Sequence, residues 1–339
     1  LWNLYTKKEE YDLRKLEDQY NRFPYYYSNQ RNVLEPKVSA FLNKNGLNIK
    51  YPNGKKFGVC LTHDVDFVYQ SNLMMAYRGY NALRTCQFGK SLKVLMSRIN
   101  GSLNPNWNFK DIMDLEATYN AKSSFYFLAL DKSNMDYTFK INVLGKEIRN
   151  IISNGWDVGL HGGHEAFNNL NQMKIEKERL ENVVEKQIIG YRNHYFRFET
   201  PDTWECLKEA GFKYDTTFGY ADCVGFRNGL CHPFKPFNLY TNRHIDIIEI
   251  PVIIMDTTLF NYMRLNLEQA WELTKRLIDT VEKYGGIITF NWHIQNMLDD
   301  KLTYYRQLLQ YCLEKDAWMT SADEIWKEVT KNEIYICCH

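Results

Sequence analysis

The chain has 339 residues, 45% hydrophobic and 24% charged, a balance that suits one large folded domain or two modest ones. Its 42 basic residues face 41 acidic ones, so a formal net charge of +1 supplies no field to draw it toward nucleic acid or an anionic membrane. A transmembrane helix is excluded because no run of about 18 apolar residues occurs, and the cysteines (Cys60, Cys86, Cys206, Cys223, Cys231, Cys312, Cys337, Cys338) form no CxxC pair.

Those cysteines are read as free thiols in a reducing compartment, which makes the cytoplasm the expected location. The opening LWNLYTKKEEYD lacks a signal-peptide layout; because the chain starts at Leu1 and not at Met, whether it is a fragment stays open. Residues 1–56 are rich in Tyr, Asn and Lys, with one helical stretch at KKEEYDLRKLEDQYNR (7–22) and turn formers in YPNGKK (51–56). They read as an N-terminal extension packed on the main domain.

From residue 57 short apolar runs alternate with segments of helical period. The predicted strands are FGVCLT (57–62), SSFYFLAL (123–130), WDVGL (156–160), HYFRF (194–198), IIEIPVIIM (247–255) and GIITFNW (286–292). Between them, MKIEKERLENVVEKQI (173–188) carries i, i+4 charge pairs, and LNLEQAWELTKRLIDTVEKYGG (265–286) ends in a Gly-Gly stop. Such alternation predicts an α/β fold with a parallel sheet, either open and doubly wound or closed as a barrel. FVYQSNLMM (67–75) follows the first strand where a dinucleotide-binding fold needs a glycine-rich loop, so that fold has no support.

Several apolar runs end in titratable residues. The first strand runs into His63, Asp64 and Asp66, WDVGL runs into His161, His164 and Glu165, and the last strand ends on His293. A barrel would gather these groups at one mouth. On a helical turn His161, His164 and Glu165 would share a face and suit a divalent metal, although two histidines beside a Gly-Gly turn can equally cap a helix. Asp64 and Asp66, two apart, would point to one side of a strand, and a nearby cation would relieve their repulsion. One would then bind metal while the other takes a proton from water.

These segments resemble the motifs of the polysaccharide deacetylases, the NodB-homology enzymes of carbohydrate esterase family four. LTHDVD (61–66), LHGGHE (160–165), GYRNHYFRF (190–198), YDTTFGY (214–220) through IEIPVIIMD (248–256), and FNWH (290–293) carry the likeness. YDTTFGYADCVGFRNGLCHPFKPFN (214–238) further resembles a subgroup found with bacterial surface-polysaccharide biosynthesis. The resemblance implies a distorted (β/α)-barrel of the NodB-homology type over residues 57–330, with the extension before it and a tail at 331–339. It implies a metal-dependent hydrolase that removes an N-acetyl or similar acyl group from a sugar or polysaccharide, with one divalent ion, zinc by expectation. Carried across by residue, Asp64 is the general base, Arg192 holds it ionised, His293 is the general acid, and Asp66 and His161 bind metal. The family spaces its histidines four apart, so the third ligand here falls to His164, with Glu165 as the alternative. RNHYFRF replaces the family's proline-rich motif and would reshape the substrate groove.

The remaining expectations are weaker in motif. His194, Trp292 and Arg227 are assigned to substrate binding, and His63 is expected to face away from Asp64. Asp256 either orients a histidine or caps the next helix. Two other functions fit the same residues, a metal-dependent amidohydrolase on a small non-sugar amide and a carbohydrate-binding pseudoenzyme. A carbohydrate is the expected partner, and the oligomeric state is left open.

Overall fold

The computed structural model describes residues 1–12, 16–69, 80 and 104–336. Cys86, Cys337, Cys338 and most of FVYQSNLMM lie outside them, as does the middle of the predicted helix at 7–22. The sheet is built on β1 (Gly58–Val65), every residue of which is buried, as befits a strand covered on both faces. β10 (Ile287–Asn291) runs parallel along one side of it. The other side is shared by β11 (Trp318–Thr320), beside Gly58–Cys60, and β2 (Ser124–Leu128), beside Thr62–Val65. From β2 the sheet continues through β3 (Asp157–Gly162), β4 (Gly190–Asn193), β5 (Tyr214–Asp215) and β8 (Ile248–Glu249), and β9 (Ile254–Met255) flanks β10. All of these pairings are parallel. A separate hairpin joins β6 (Phe237–Asn238) to β7 (Arg243–His244).

The predicted strand IIEIPVIIM is two strands at opposite ends of this sheet. β8 pairs with β5 at one end and β9 with β10 at the other, and only residues 250–253 separate them. Four extended residues reach at most about 14 Å, so the two ends of the sheet must lie close together. The sheet is therefore a curled, distorted barrel. Pro251, which cannot donate to a ladder, stands in the crossing peptide.

HYFRF is not a strand. β4 stops at Asn193, and His194–Phe196 form a tight turn in which Tyr195 and Phe196 both have left-handed backbone, with φ of 60° and 57°. The Asn193 side chain donates to the His194 carbonyl, capturing a group that a strand would offer to its neighbour. Helices form where the period demands them: Leu267–Tyr284 opens on a capping box of Asn266 and Gln269 and closes on left-handed Gly285, φ 61°. The helix predicted at 173–188 spans Leu170–Val184 and ends on left-handed Glu185. Among the described residues no helix is long and apolar enough to cross a membrane, and the five described cysteines are free thiols.

N-terminal residues dock through buried polar contacts. Arg227 donates from Nε to Glu10 Oε1 and from Nη2 to Glu10 Oε2, each at 2.9 Å, and the Thr200 hydroxyl donates to Glu10 at 2.6 Å. Ser39 and the His232 ring are 2.8 Å apart. Arg227 is thus an internal anchor for the N-terminal region and not the substrate contact expected from its aromatic loop; the aromatics there, Phe218 and Tyr220, pack over its guanidinium. Arg227→Ala removes the two-pronged partner of the buried Glu10 carboxylate, leaving it Lys7 at 3.7 Å and the Thr200 hydroxyl, and is expected to destabilise the protein by up to about 3 kcal/mol, read as a lower midpoint in denaturant unfolding.

Candidate metal centre

Parallel strands place their carboxyl ends at one edge, so β1, β3, β4 and β10 deliver their last residues to a common mouth. Alternation along β1 turns Asp64 and Asp66 to the same side, as expected. The end of β3 brings His161, whose Nε2 lies 3.2 Å from Asp66 Oδ1 and 3.8 Å from Asp64 Oδ2. The turn after β4 brings His194, with Nε2 3.7 Å from Asp66 Oδ1. Asp66, His161 and His194 each offer an atom within 4.8 Å of the others, and all three are buried.

Their other polar atoms are already committed. His161 Nδ1 donates to the Arg192 carbonyl at 3.0 Å, and His194 Nδ1 faces Asp136 Oδ2 at 2.9 Å. Each ring therefore points Nε2 inward, the orientation that outer partners impose on metal-binding histidines. Asp66 Oδ1 and His161 Nε2 are buried without a well-formed hydrogen bond despite their proximity. Two orphaned donor atoms facing each other across a carboxylate-imidazole group fit a divalent cation.

Asp64 stands beside this group with partners of its own. Arg192 Nη1 donates to its Oδ1 at 3.1 Å and Asn291 Nδ2 to its Oδ2 at 2.6 Å. Arg192 is itself fixed by the Thr216 carbonyl and the Thr62 hydroxyl, with its guanidinium over the Tyr126 ring. Burial alone would raise the Asp64 pKa, but Arg192, then His161 and His293, hold it below the ordinary carboxylate value. Burial likewise opposes charge on Asp66, yet the contact with His161 and the charges of His194 and His293 keep its carboxyl far below that range.

His293 follows β10. Its Nε2 lies 3.5 Å from Asp66 Oδ2 and 4.0 Å from Asp64 Oδ2, while Nδ1 is 2.6 Å from Asp256 Oδ1. Burial would lower its pKa, but Asp256 first, then Asp66 and Asp64, push it up to about 10. Of the two tasks considered for Asp256, the structure shows the first, orienting His293; the helix that follows, Thr258–Tyr262, has Thr257 at its N-cap and no side-chain cap.

Three expected site residues do not join the group. His164 is not on a helical face with His161, because His161 lies in β3, which ends at Gly162, and His164 lies in the turn beyond it. Its Nδ1 is 2.9 Å from Glu165 Oε1 and its carbonyl accepts from Arg197, while Glu165 is exposed. His194, assigned to substrate, stands instead with Asp66 and His161 as the third atom of a group that could hold a metal ion. Trp292 is fully buried and stacks on Tyr304 at 5.3 Å, so it is core and not a groove wall. Arg227 is the anchor described above. His63 faces away from Asp64, as expected, toward the Trp292 carbonyl at 2.7 Å and Glu116 at 2.9 Å. The residues missed in the sequence are Asp136, Asn291 and Gln295, the last donating to Asp66 Oδ2 at 3.2 Å. Asn291 had a signal, standing two before His293 on a strand; Asp136, in an irregular loop, had none.

Two solved structures share this fold over most of the chain. One, from Mycobacterium smegmatis and assigned as a polysaccharide deacetylase, aligns with a TM-score of 0.59 at 17% identity, covering 86% of this chain and 96% of that one. The other, Puue allantoinase, aligns with a TM-score of 0.58 at 14% identity, covering 87% and 98%. No protein-family model and no curated protein matches the sequence. The chain has the distorted α/β barrel of a polysaccharide deacetylase, a fold it also shares with an allantoinase.

Proposed function

We propose that this protein is a metal-dependent hydrolase that removes an N-acetyl or similar acyl group from a sugar. The reading is carried by one observation: a three-donor group, Asp66, His161 and His194, adjoins a carboxylate paired to arginine and an imidazole backed by a second carboxylate. A divalent ion, zinc by the mixture of imidazole and carboxylate, would polarise the amide carbonyl and acidify the attacking water. Asp64, ionised at neutral pH by Arg192, takes the proton from that water as it adds to the carbonyl carbon. His293, protonated at neutral pH, gives a proton to the nitrogen so that it leaves as an amine when the C–N bond breaks.

The altered histidine spacing raised the prospect of a binding-only protein. His194 supports the hydrolase reading, since with it the group offers three candidate donors without His164. Release of acetate from N-acetylated sugars, with no turnover of cyclic ureides, is the expected assay result; the reverse would favour a small-amide hydrolase.

The carboxylate behind His293 gives a pH prediction. A raised pKa keeps the imidazole protonated, and able to donate, up to about 10. Asp256→Asn removes the largest raising influence, so the alkaline limb of kcat/KM should move to lower pH. An unmoved limb in the pH-rate profile would show that His293 is not the acid.

A further inference from the structure

The ring that completes the donor group is held from an unexpected quarter. Tyr195 stacks on His194, with ring centroids 3.9 Å apart and planes at 24°. Tyr20, from the N-terminal region, stacks on Tyr195 at 4.8 Å and 14°. The Arg22 guanidinium lies over the Tyr20 ring at 4.7 Å. A continuous series of flat groups therefore runs from the N-terminal region to a candidate metal donor.

Two arginines lock the junction in opposite directions. Arg22 Nη1 donates to the Tyr195 carbonyl at 2.9 Å, and Arg197 Nε donates to the Tyr20 carbonyl at 2.8 Å. Arg197 also reaches Asn21 Oδ1 at 2.8 Å. The Asp18–Arg22 turn is closed by its own contacts, Asp18 N–H to the Arg22 carbonyl at 3.0 Å and Arg22 Nε to Asp18 Oδ2 at 2.8 Å. On the barrel side, Tyr195 and Phe196 hold left-handed backbone, which is costly for aromatic residues and persists only where surrounding contacts fix it. The N-terminal turn supplies such contacts at Tyr195, through the Tyr20 ring and Arg22.

We propose that the Asp18–Arg22 turn is part of the metal centre, with Tyr20 acting through Tyr195 to set the plane of the His194 ring. His194 Nδ1 is fixed by Asp136, but a single hydrogen bond leaves rotation about its axis; the stacked Tyr195 face removes that freedom. Tyr20 is a positioning residue, since it touches neither the donor group nor the reacting atoms. This inference rests on the hydrolase reading only for the identity of the metal group.

The test is the affinity of the full chain for Zn²⁺, measured by chelator competition, together with the visible spectrum of the Co²⁺-loaded protein. Tyr20→Ala should weaken Zn²⁺ binding by about tenfold, the lower end of the ~10–100-fold that loss of an outer support costs, and alter the Co²⁺ bands. Tyr20→Phe, which keeps the ring, should match the unaltered chain in both. Tyr20→Leu, which fills the same space without a flat face, should behave like Tyr20→Ala and serves if that variant fails to fold. Unchanged affinity and spectrum in Tyr20→Ala or Tyr20→Leu, with normal binding by the unaltered chain, would overturn this inference alone. No binding by the unaltered chain would overturn it together with the hydrolase reading.

Discussion

Asp64→Asn is expected to lower kcat by about 10²–10⁴-fold, the range a general base contributes, while metal content stays at the unaltered level. The substitution is nearly isosteric, and its amide oxygen can still accept from Arg192 Nη1. Asn291 can adapt as well, because its own Oδ1 is buried without a partner and a flip would present it to the new amide N–H. The fold should therefore survive. What is lost is the negative charge that takes the proton, since Asp64 lies beside the donor trio but is not one of its members. Acetate release measured alongside elemental analysis separates the two roles. Full activity in Asp64→Asn would remove Asp64 from the mechanism.

The second large effect separates two histidines that look alike in the sequence. His194→Ala is expected to weaken metal binding by more than the roughly 10–100-fold typical of an outer support, because it deletes a direct donor. His164→Ala should weaken metal binding far less, for its ring is turned to Glu165 and Arg197 and meets the Tyr195 ring only edge-on at 6.0 Å. Chelator competition on the pair decides the matter. Loss of metal in His164→Ala, with retention in His194→Ala, would restore the ligand choice that spacing suggested.

The contrast marks where the sequence is informative. Strand ends are legible: the apolar run before Asp64 and Asp66, and the one before His293, place those residues correctly because alternation fixes side-chain direction. His161, just after WDVGL, is legible for the same reason, whereas Arg192 is reached only through the family resemblance of GYRNHYFRF. His164 misleads because an i, i+3 offset implies a shared face only within a helix, and β3 ends in a turn. His194 is hidden inside HYFRF, whose aromatic content imitates a strand while its backbone turns left-handed. No local pattern could reveal that this turn meets Tyr20 and Arg22, more than 170 positions earlier. Arg227 and Trp292 fail differently, since an arginine or tryptophan amid aromatics reads the same at a groove and in a core; burial alone tells them apart. The split of IIEIPVIIM follows from closure of the barrel, which periodicity cannot register.

The most direct measurement is anomalous scattering on crystals grown without chelator, paired with metal stoichiometry in solution. One divalent ion per chain, bound by Asp66, His161 and His194 with Asp64 outside its ligand set, is the expected result. A protein without bound metal after zinc is supplied, or an ion held by His164 and Glu165 instead, would contradict the proposed chemistry.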